Sequence, residues 1–169
     1  QPFAPANISR RTQLKIAVNG FEFALLKLHT KGLVPGLTTG DVAEYLPKIA
    51  ASYAFNVNNF WAKVYGGFQT YRIETDPKDY TVNSYIAGLS GGVDLDPFYV
   101  NAAFMTGQNC AQYGLSNMIG GVDKPNDAWV EDGDLKDQQT IGATLVAGYK
   151  ASKRVSFETG FGYVTKDSD

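Results

Sequence analysis

Residues 42–74 contain two long runs in which apolar and more polar side chains alternate. The apolar positions of the first run are Tyr45, Pro47, Ile49, Ala51, Tyr53 and Phe55, and those of the second are Phe60, Ala62, Val64, Gly66 and Phe68. A period of two residues is typical of β-strands, and the break at residues 57–59 predicts a hairpin turn between them. Strands of globular proteins run about 5–6 residues, whereas a tilted strand that crosses a bilayer needs roughly 9–11. The length of both arms therefore predicts strands long enough to cross a membrane.

The same alternation recurs along the chain and predicts eight strands joined by turns and loops. The dipeptide Asn19-Gly20 is a strong hairpin signal, because type I′ turns need positive φ at both central positions. Short turns are predicted at residues 19–20, 57–59, 94–97 and 151–154, and longer loops at residues 30–40, 75–80 and 108–138. Near Leu25 and Leu26 the parity shifts, which predicts a β-bulge, with a local helix as the alternative.

The strict alternation of short turns and longer loops is typical of the two ends of an outer-membrane β-barrel. We therefore predict one all-β domain over residues 1–169, an antiparallel up-and-down transmembrane β-barrel. Residues 1–10 form an irregular lead and residues 108–138 a long loop. The alternative is a soluble β-barrel or sandwich whose apolar face is an internal core.

The two ends of the chain bear on whether eight strands make a complete barrel. With the short turns in the periplasm, both ends of the chain would lie on the outer side, whereas bacterial barrels of this kind keep both ends in the periplasm. The last residues, 165–169, include no aromatic side chain, and no signal peptide is visible at Gln1. We therefore predict about eight strands from the interior of a larger barrel.

The composition removes several classes of function. No run of about 18 apolar residues occurs, which excludes a transmembrane helix, and the formal charge of −2 gives no basic patch for nucleic acid. One cysteine and one histidine provide neither an internal disulfide nor a histidine-rich metal site. A single histidine also makes a Ser-His-Asp triad an unsupported reading, and no glycine-rich phosphate loop precedes a helix. We predict that the protein is not an enzyme and has no cofactor or metal.

Several segments carry a resemblance to a known family. They are L-P-K-I-A-A-S-Y-A-F at residues 46–55, Y-G-G-F-Q-T-Y at residues 65–71, S-Y-I-A-G-L-S-G-G at residues 84–92, and the strand and loop at residues 98–113. These segments resemble the homotrimeric outer-membrane porins of sulfate-reducing, Desulfovibrio-like bacteria. The resemblance implies a trimer of barrels, each of about sixteen strands, in the outer membrane of a Gram-negative bacterium. It also implies passive diffusion of ions and small hydrophilic solutes, and it assigns no constriction residues.

The inward positions of the predicted strands supply candidate pore-lining side chains. These are Lys15, Lys48, Lys63, Gln69, Lys150 and Glu158. A pore selects by its diameter and by the charges that line it, so inward lysines would favour anions. The alternative is that these lysines neutralise neighbouring acids or lie at a rim.

The long loop at residues 108–138 contains an acidic cluster. Its members are Asp123, Asp127, Glu131, Asp132 and Asp134. A solvated extracellular loop is the first interpretation, a loop folded into the barrel as a constriction the second, and a Ca²⁺ site the third. Calcium takes six to eight oxygen ligands, but the spacing does not match an EF-hand.

Aromatic residues near the short turns predict an interfacial girdle, as in membrane barrels. The candidates are Tyr53, Phe60, Trp61, Phe98, Tyr99 and Tyr149, although only some of them have outward parity. Cross-strand packing in a soluble sheet is the alternative.

The sequence thus favours a porin in the bacterial outer membrane whose partners are membrane lipid, ions and small solutes, with a homotrimer implied by the resemblance. Two alternatives remain open: a soluble, lipocalin-like binding barrel, and a structural or adhesive outer-membrane barrel whose loops carry the function.

Overall fold

A computed structural model of the chain describes residues 13–27, 41–43, 45–75, 78–113 and 128–168. Eleven strands are defined there: β1 (Gln13–Val18), β2 (Phe21–Leu26), β3 (Asp41–Ala43), β4 (Lys48–Val57), β5 (Phe60–Glu74), β6 (Tyr80–Leu95), β7 (Phe98–Gln108), β8 (Trp129–Glu131), β9 (Asp134–Lys136), β10 (Gln138–Lys150) and β11 (Ser156–Ser168). A 3₁₀ helix spans Cys110–Tyr113. In the described ranges, no helix has the length and apolar character needed to cross a membrane.

The main sheet is an antiparallel meander in the order β1-β2-β4-β5-β6-β7-β10-β11. The short strand β3 pairs with the end of β5, and β8 and β9 form a separate hairpin. Among the described strands, β1 and β11 are the two edges, so the sheet is open. The predicted all-β, antiparallel fold with eight main strands is confirmed, whereas β3 and the β8–β9 hairpin lie where the sequence pattern predicts loops.

Four tight connections lie at one end of the sheet, which we call the turn end; the opposite end is the loop end. Asn19 and Gly20 both have positive φ, 46° and 82°, as the predicted type I′ turn requires. Neighbouring turns are joined by backbone hydrogen bonds from Ala54 to Gly20 at 2.8 Å, from Asp94 to Asn59 at 2.9 Å and from Lys150 to Pro97 at 2.8 Å. The turn end is therefore a continuous hydrogen-bonded rim.

Three local predictions are corrected. The turns at residues 57–59 and 94–97 are shorter than expected, because Val57 pairs with Phe60 and Leu95 with Phe98. The β-bulge predicted near Leu25 is wrong for the described strand Phe21–Leu26, which pairs residue for residue with both neighbours. Leu26 pairs with Lys48 and lies on the polar face of the sheet. The apparent shift in parity therefore comes from one apolar side chain on that face, and no residue is inserted.

The register divides the main sheet into two faces of opposite character. In one row, Tyr53 pairs with Val64, Val64 with Leu89 and Leu89 with Phe104. We call the face of this row the outward face, and the face that carries Lys63 the inward face. The outward face exposes large apolar side chains on every main strand, including Ile16, Phe21, Tyr53, Val64, Leu89, Phe104, Leu145 and Phe161.

The outward apolar band has the height of a membrane core. On β5 it runs over residues 60–68 and on β10 over residues 141–149, roughly the 9–11 residues that a tilted strand needs to cross a bilayer. Charged side chains on the outward face of the described sheet occur only beyond this band, at the loop end, where Asp41, Arg72, Glu74 and Asp167 lie. The band itself is uncharged.

The buried apolar core lies on the inward face near the loop end. Tyr71, Ile73 and Val82 are buried there with Ala128, and Val42, Val130 and Leu135 pack against them. Since Val130 and Leu135 belong to the β8–β9 hairpin, this hairpin covers the inward side of β5 and β6.

Candidate functional site on the inward face

The six predicted pore-lining residues share the inward face. This follows from the strand register, which puts Lys15, Ser52, Lys63, Gly107 and Lys150 of successive strands on the same side of the sheet. Lys15, Lys63, Lys150 and Glu158 retain exposed side chains. Lys48 and Gln69 are only 7% and 1% exposed, and the Tyr113 ring of the segment after β7 lies against Lys48. The inward face therefore presents four of the six polar candidates to solvent.

One charged cluster lies where β1, β2, β4 and β5 meet. Glu22 accepts a hydrogen bond from the Lys15 ammonium at 2.6 Å and from the Ser52 hydroxyl at 3.5 Å. The Lys63 ammonium lies 3.9 Å from the same carboxylate. Two lysines share one acid, so this cluster keeps a net positive charge.

A second charged cluster lies at the turn end. Lys150 forms an ion pair with Asp94, and the Tyr99 hydroxyl donates a hydrogen bond of 2.6 Å to Glu158. The Lys150 ammonium lies 5.6 Å from the centroid of the Tyr99 ring. With two carboxylates and one ammonium, this cluster has a net negative charge. The alternative interpretation of the lysines, neutralisation by neighbouring acids, therefore holds in part at both clusters.

Three aromatic side chains of the inward face lie across glycines of the adjacent strand. A Cβ atom placed on Gly88 would lie 2.3 Å from the Tyr65 ring, and one on Gly148 would lie 2.1 Å from the Tyr99 ring. A Cβ atom on Gly92 would lie 2.6 Å from the indole nitrogen of Trp61. Because these positions lack a side chain, the rings lie against the sheet and do not project into the space that it faces.

Asn109 holds the two ends of the long loop together. It is fully buried with a φ of 51°, and its side-chain amide donates to the Asn83 carbonyl at 2.9 Å and to the Asp137 carboxylate at 2.7 Å. Its side-chain oxygen accepts from the backbone N–H of Gln138 at 3.0 Å, and its own N–H donates to the Gln138 carbonyl at 2.9 Å. These bonds fasten the start and the end of the loop to β6 and to each other.

The 3₁₀ helix that follows Asn109 turns onto the inward face. The Tyr113 ring lies on Gly67, where an added Cβ would be 2.7 Å away, and beneath the Lys48 ammonium at 3.6 Å from the ring centroid. Burial, and to a lesser extent Cys110, raises the pKa of the Tyr113 hydroxyl well above its usual 10.0. The hydroxyl donates to the Ser84 carbonyl at 3.4 Å.

The described members of the acidic cluster lie around the β8–β9 hairpin. Asp134 pairs with Lys78 at 3.0 Å, and the Gly133 carbonyl accepts from Lys78 at 2.9 Å and from the Tyr80 hydroxyl at 3.1 Å. Glu131 and Asp132 end the strand and begin its turn, while Asp123 and Asp127 lie outside the described residues. Over the ranges that the structure covers, no group of three metal-ligating side chains is found.

The six girdle candidates divide between the two faces. Tyr53, Phe60, Phe98 and Tyr149 lie outward, and the rings of Phe98 and Tyr149 pack with their centroids 5.0 Å apart. Trp61 and Tyr99 pair with Gly92 and Gly148 on the inward face, so their assignment to a lipid-facing girdle is wrong. Each directly follows an aromatic residue of the opposite face, Phe60 or Phe98, so proximity to a turn alone did not reveal which face each ring occupies.

Sequence reasoning did not select Glu22, Asp94, Asn109 or Tyr113. The parity of Glu22 between the apolar Phe21 and Phe23 already places it inward, and Asp94 follows in the same way from Val93 and Leu95. Asn109 and Tyr113 lie where the periodicity ends, so the sequence pattern carries no signal for either.

Comparison with known proteins identifies the fold. No family model and no curated protein matches the chain. A solved structure, the outer membrane channel DcaP of Acinetobacter baumannii, matches with a TM-score of 0.59 at 12% sequence identity. The match covers 93% of this chain and 43% of that channel, so the chain spans less than half of its length. The chain therefore has the fold of an open portion of an outer-membrane channel barrel.

Proposed function

We propose that this chain is part of a larger β-barrel that forms a water-filled channel through the bacterial outer membrane, and that ions and small hydrophilic solutes diffuse passively through it. The observation that carries the proposal is the separation of charge between the two faces. Within the band of membrane height, Lys15, Glu22, Lys63 and Glu158 all lie inward, and Lys150 lies inward at its turn-end margin, while the outward face is apolar and exposed.

The distribution of apolar surface favours this proposal over a soluble binding barrel. A lipocalin-like barrel would enclose its apolar face, whereas here Leu89 and Phe104, on the central strands β6 and β7, are 52% and 48% exposed on the outward side. An exposed apolar surface that extends over eight strands requires lipid or detergent. The likeness to a channel supports transport over a purely adhesive barrel and over an enzyme.

The trimeric assembly and the narrower family are part of the same proposal. The segments at residues 46–55, 65–71 and 84–92 support a homotrimeric porin of the type found in sulfate-reducing bacteria. The inward clusters, one positive and one negative, support a pore of weak charge preference rather than the strong anion selectivity that unpaired lysines would produce. The segment at Cys110–Tyr113 and the β8–β9 hairpin support a loop that narrows the pore from the loop end.

The test is single-channel recording from the full-length barrel that contains this chain, reconstituted in a planar bilayer. We expect stepwise currents in groups of three and a small shift in reversal potential under a salt gradient. Current steps that occur singly would contradict the trimer, and a silent bilayer despite proven insertion would favour the structural or adhesive barrel.

A further inference from the structure

A polar recess of about 530 Å³ lies at the turn end, next to the second charged cluster. It is lined by Asn56, Asn58, Asn59, Phe60, Trp61, Asp94, Asp96 and Lys150. Its volume falls within the range of roughly 300–1,000 Å³ that is typical of small-molecule sites. Asn56, Trp61, Asp94 and Lys150 belong to the inward face, so the recess lies on the inward face at the turn end.

The recess offers uncommitted amides. Among the described residues, none forms a hydrogen bond with the side chain of Asn56, Asn58 or Asn59. Each amide carries both a donor group and an acceptor group. Hydroxyl groups, which also donate and accept, are the ligand groups that such amides match best.

Trp61 contributes apolar surface. Its indole nitrogen donates to the Asn101 side-chain oxygen at 3.2 Å and lies over Gly92, which fixes the ring against the sheet. The indole has one polar atom, and that atom is already bonded, so carbon surface is what it presents to a ligand.

The charges of the recess exclude anionic ligands. Lys150 is the ammonium among the lining residues and is paired with Asp94, while Asp96 adds a second carboxylate. A phosphate or dicarboxylate would meet net repulsion there. A neutral ring with several hydroxyls and an apolar C–H face meets both the amides and the indole.

We propose that this recess is a saccharide-binding subsite of the channel, at which Trp61 supports the sugar ring and Asn56, Asn58, Asn59 and Asp96 bind its hydroxyls. This inference rests on the proposed channel function and adds a solute class to it. The subsite would slow a sugar at the turn end and so raise its local concentration in the pore.

The experiment measures current through the full-length barrel while maltotriose is added to one side. We expect brief, concentration-dependent interruptions of the open current. Trp61→Ala should weaken the apparent affinity for maltotriose at least tenfold, whereas Trp61→Phe, which keeps an apolar ring, should retain most of it. Phe104→Ala, which removes an exposed aromatic ring from the outward face of β7, is the matched control and should bind maltotriose like the parent protein.

The outcomes separate the two proposals. An open channel that maltotriose does not interrupt, or equal interruption of the parent and Trp61→Ala channels, would overturn the saccharide subsite and leave the channel intact. Interruption by arginine but not by maltotriose would also overturn it, since Asp96 would then be a cation site. If no channel forms, titration calorimetry of the detergent-solubilised barrel with maltotriose still tests the subsite, and an absence of binding heat there would overturn it.

Discussion

At the scale of single residues, the inward face depends on pairs in which an aromatic ring lies on a glycine. Tyr65 with Gly88 and Tyr99 with Gly148 are cross-strand partners, and each ring occupies the volume that a side chain would need. The pairing also orients the Tyr99 hydroxyl toward Glu158. The glycines therefore allow the aromatic rings to lie flat against the inward face.

The substitution Gly88→Ala should destabilise the folded barrel by about 1–3 kcal/mol, because the new methyl group overlaps the Tyr65 ring. The denaturation midpoint of the refolded barrel measures the effect. Gly66→Ala is the matched control on β5, since its Cβ would come no closer than 3.4 Å to the Ile86 carbonyl. Equal losses in the two variants would contradict the ring–glycine account, as would a failure of Tyr65→Ala to relieve the loss in Gly88→Ala.

Asn109 should be the residue on which the inward fold of the long loop depends most. Asn109→Ala removes three side-chain hydrogen bonds. It also leaves alanine at a φ of 51°, a conformation that its side chain disfavours and that no side-chain amide then stabilises. We expect a loss of about 1–3 kcal/mol at this site and faster proteolysis after β7. Asn109→Gly, which keeps the backbone conformation, should lose less.

The matched control for Asn109→Gly is Asn58→Gly, at an exposed turn residue with a φ of 52°. Its stability should stay within about 0.5 kcal/mol of the parent. Protease resistance of the loop that is unchanged in Asn109→Ala would show that the loop is held by other contacts.

At the scale of strands, the alternation of side chains determines which face a residue occupies. The six pore-lining candidates share the inward face, because every main strand keeps a regular period of two through its pairing, and their place in a pore stays a prediction. The alternation did not reveal that Lys48 and Gln69 are buried, and the Tyr113 ring that covers Lys48 comes from a part of the chain without periodicity. Partners such as Glu22 for Lys15 and Lys63 depend on register, which the hairpin turns set and the pattern alone does not.

The inward position of the cluster around Glu22 predicts how a substitution there changes the preference of the channel for anions over cations. Glu22→Gln leaves Lys15 and Lys63 without their shared carboxylate, so the positive cluster gains one unit of net charge. We expect the anion-to-cation permeability ratio to rise, up to about threefold in dilute salt and less as salt screens the charge. Reversal potentials under a salt gradient measure the ratio.

The control for this change is Asp41→Asn, which removes one acid on the outward side at the loop end. It should leave the permeability ratio unchanged. A ratio that responds equally to both substitutions would mean that the inward cluster does not line the path of the ions.

At the scale of the whole molecule, the sheet of eight main strands is open and its two edges are β1 and β11. Unpaired strand edges bind other strands, and the apolar outward face adds surface that water does not solvate well. The chain expressed alone should therefore aggregate in the absence of detergent. Size-exclusion chromatography measures this, and a monodisperse monomer without detergent would contradict the barrel assignment.

The central claim is that the inward face lines a water-filled pore while the outward face meets lipid. The measurement that tests it most directly is the current through single-cysteine variants of the full-length barrel, in a background where Cys110 is replaced by alanine, during addition of a charged thiol reagent. We predict that Lys63→Cys, on the inward face of β5, changes its current when the reagent is added, whereas Val64→Cys, its outward neighbour, does not. Modification of the current through both variants, or through Val64→Cys alone, would contradict the account.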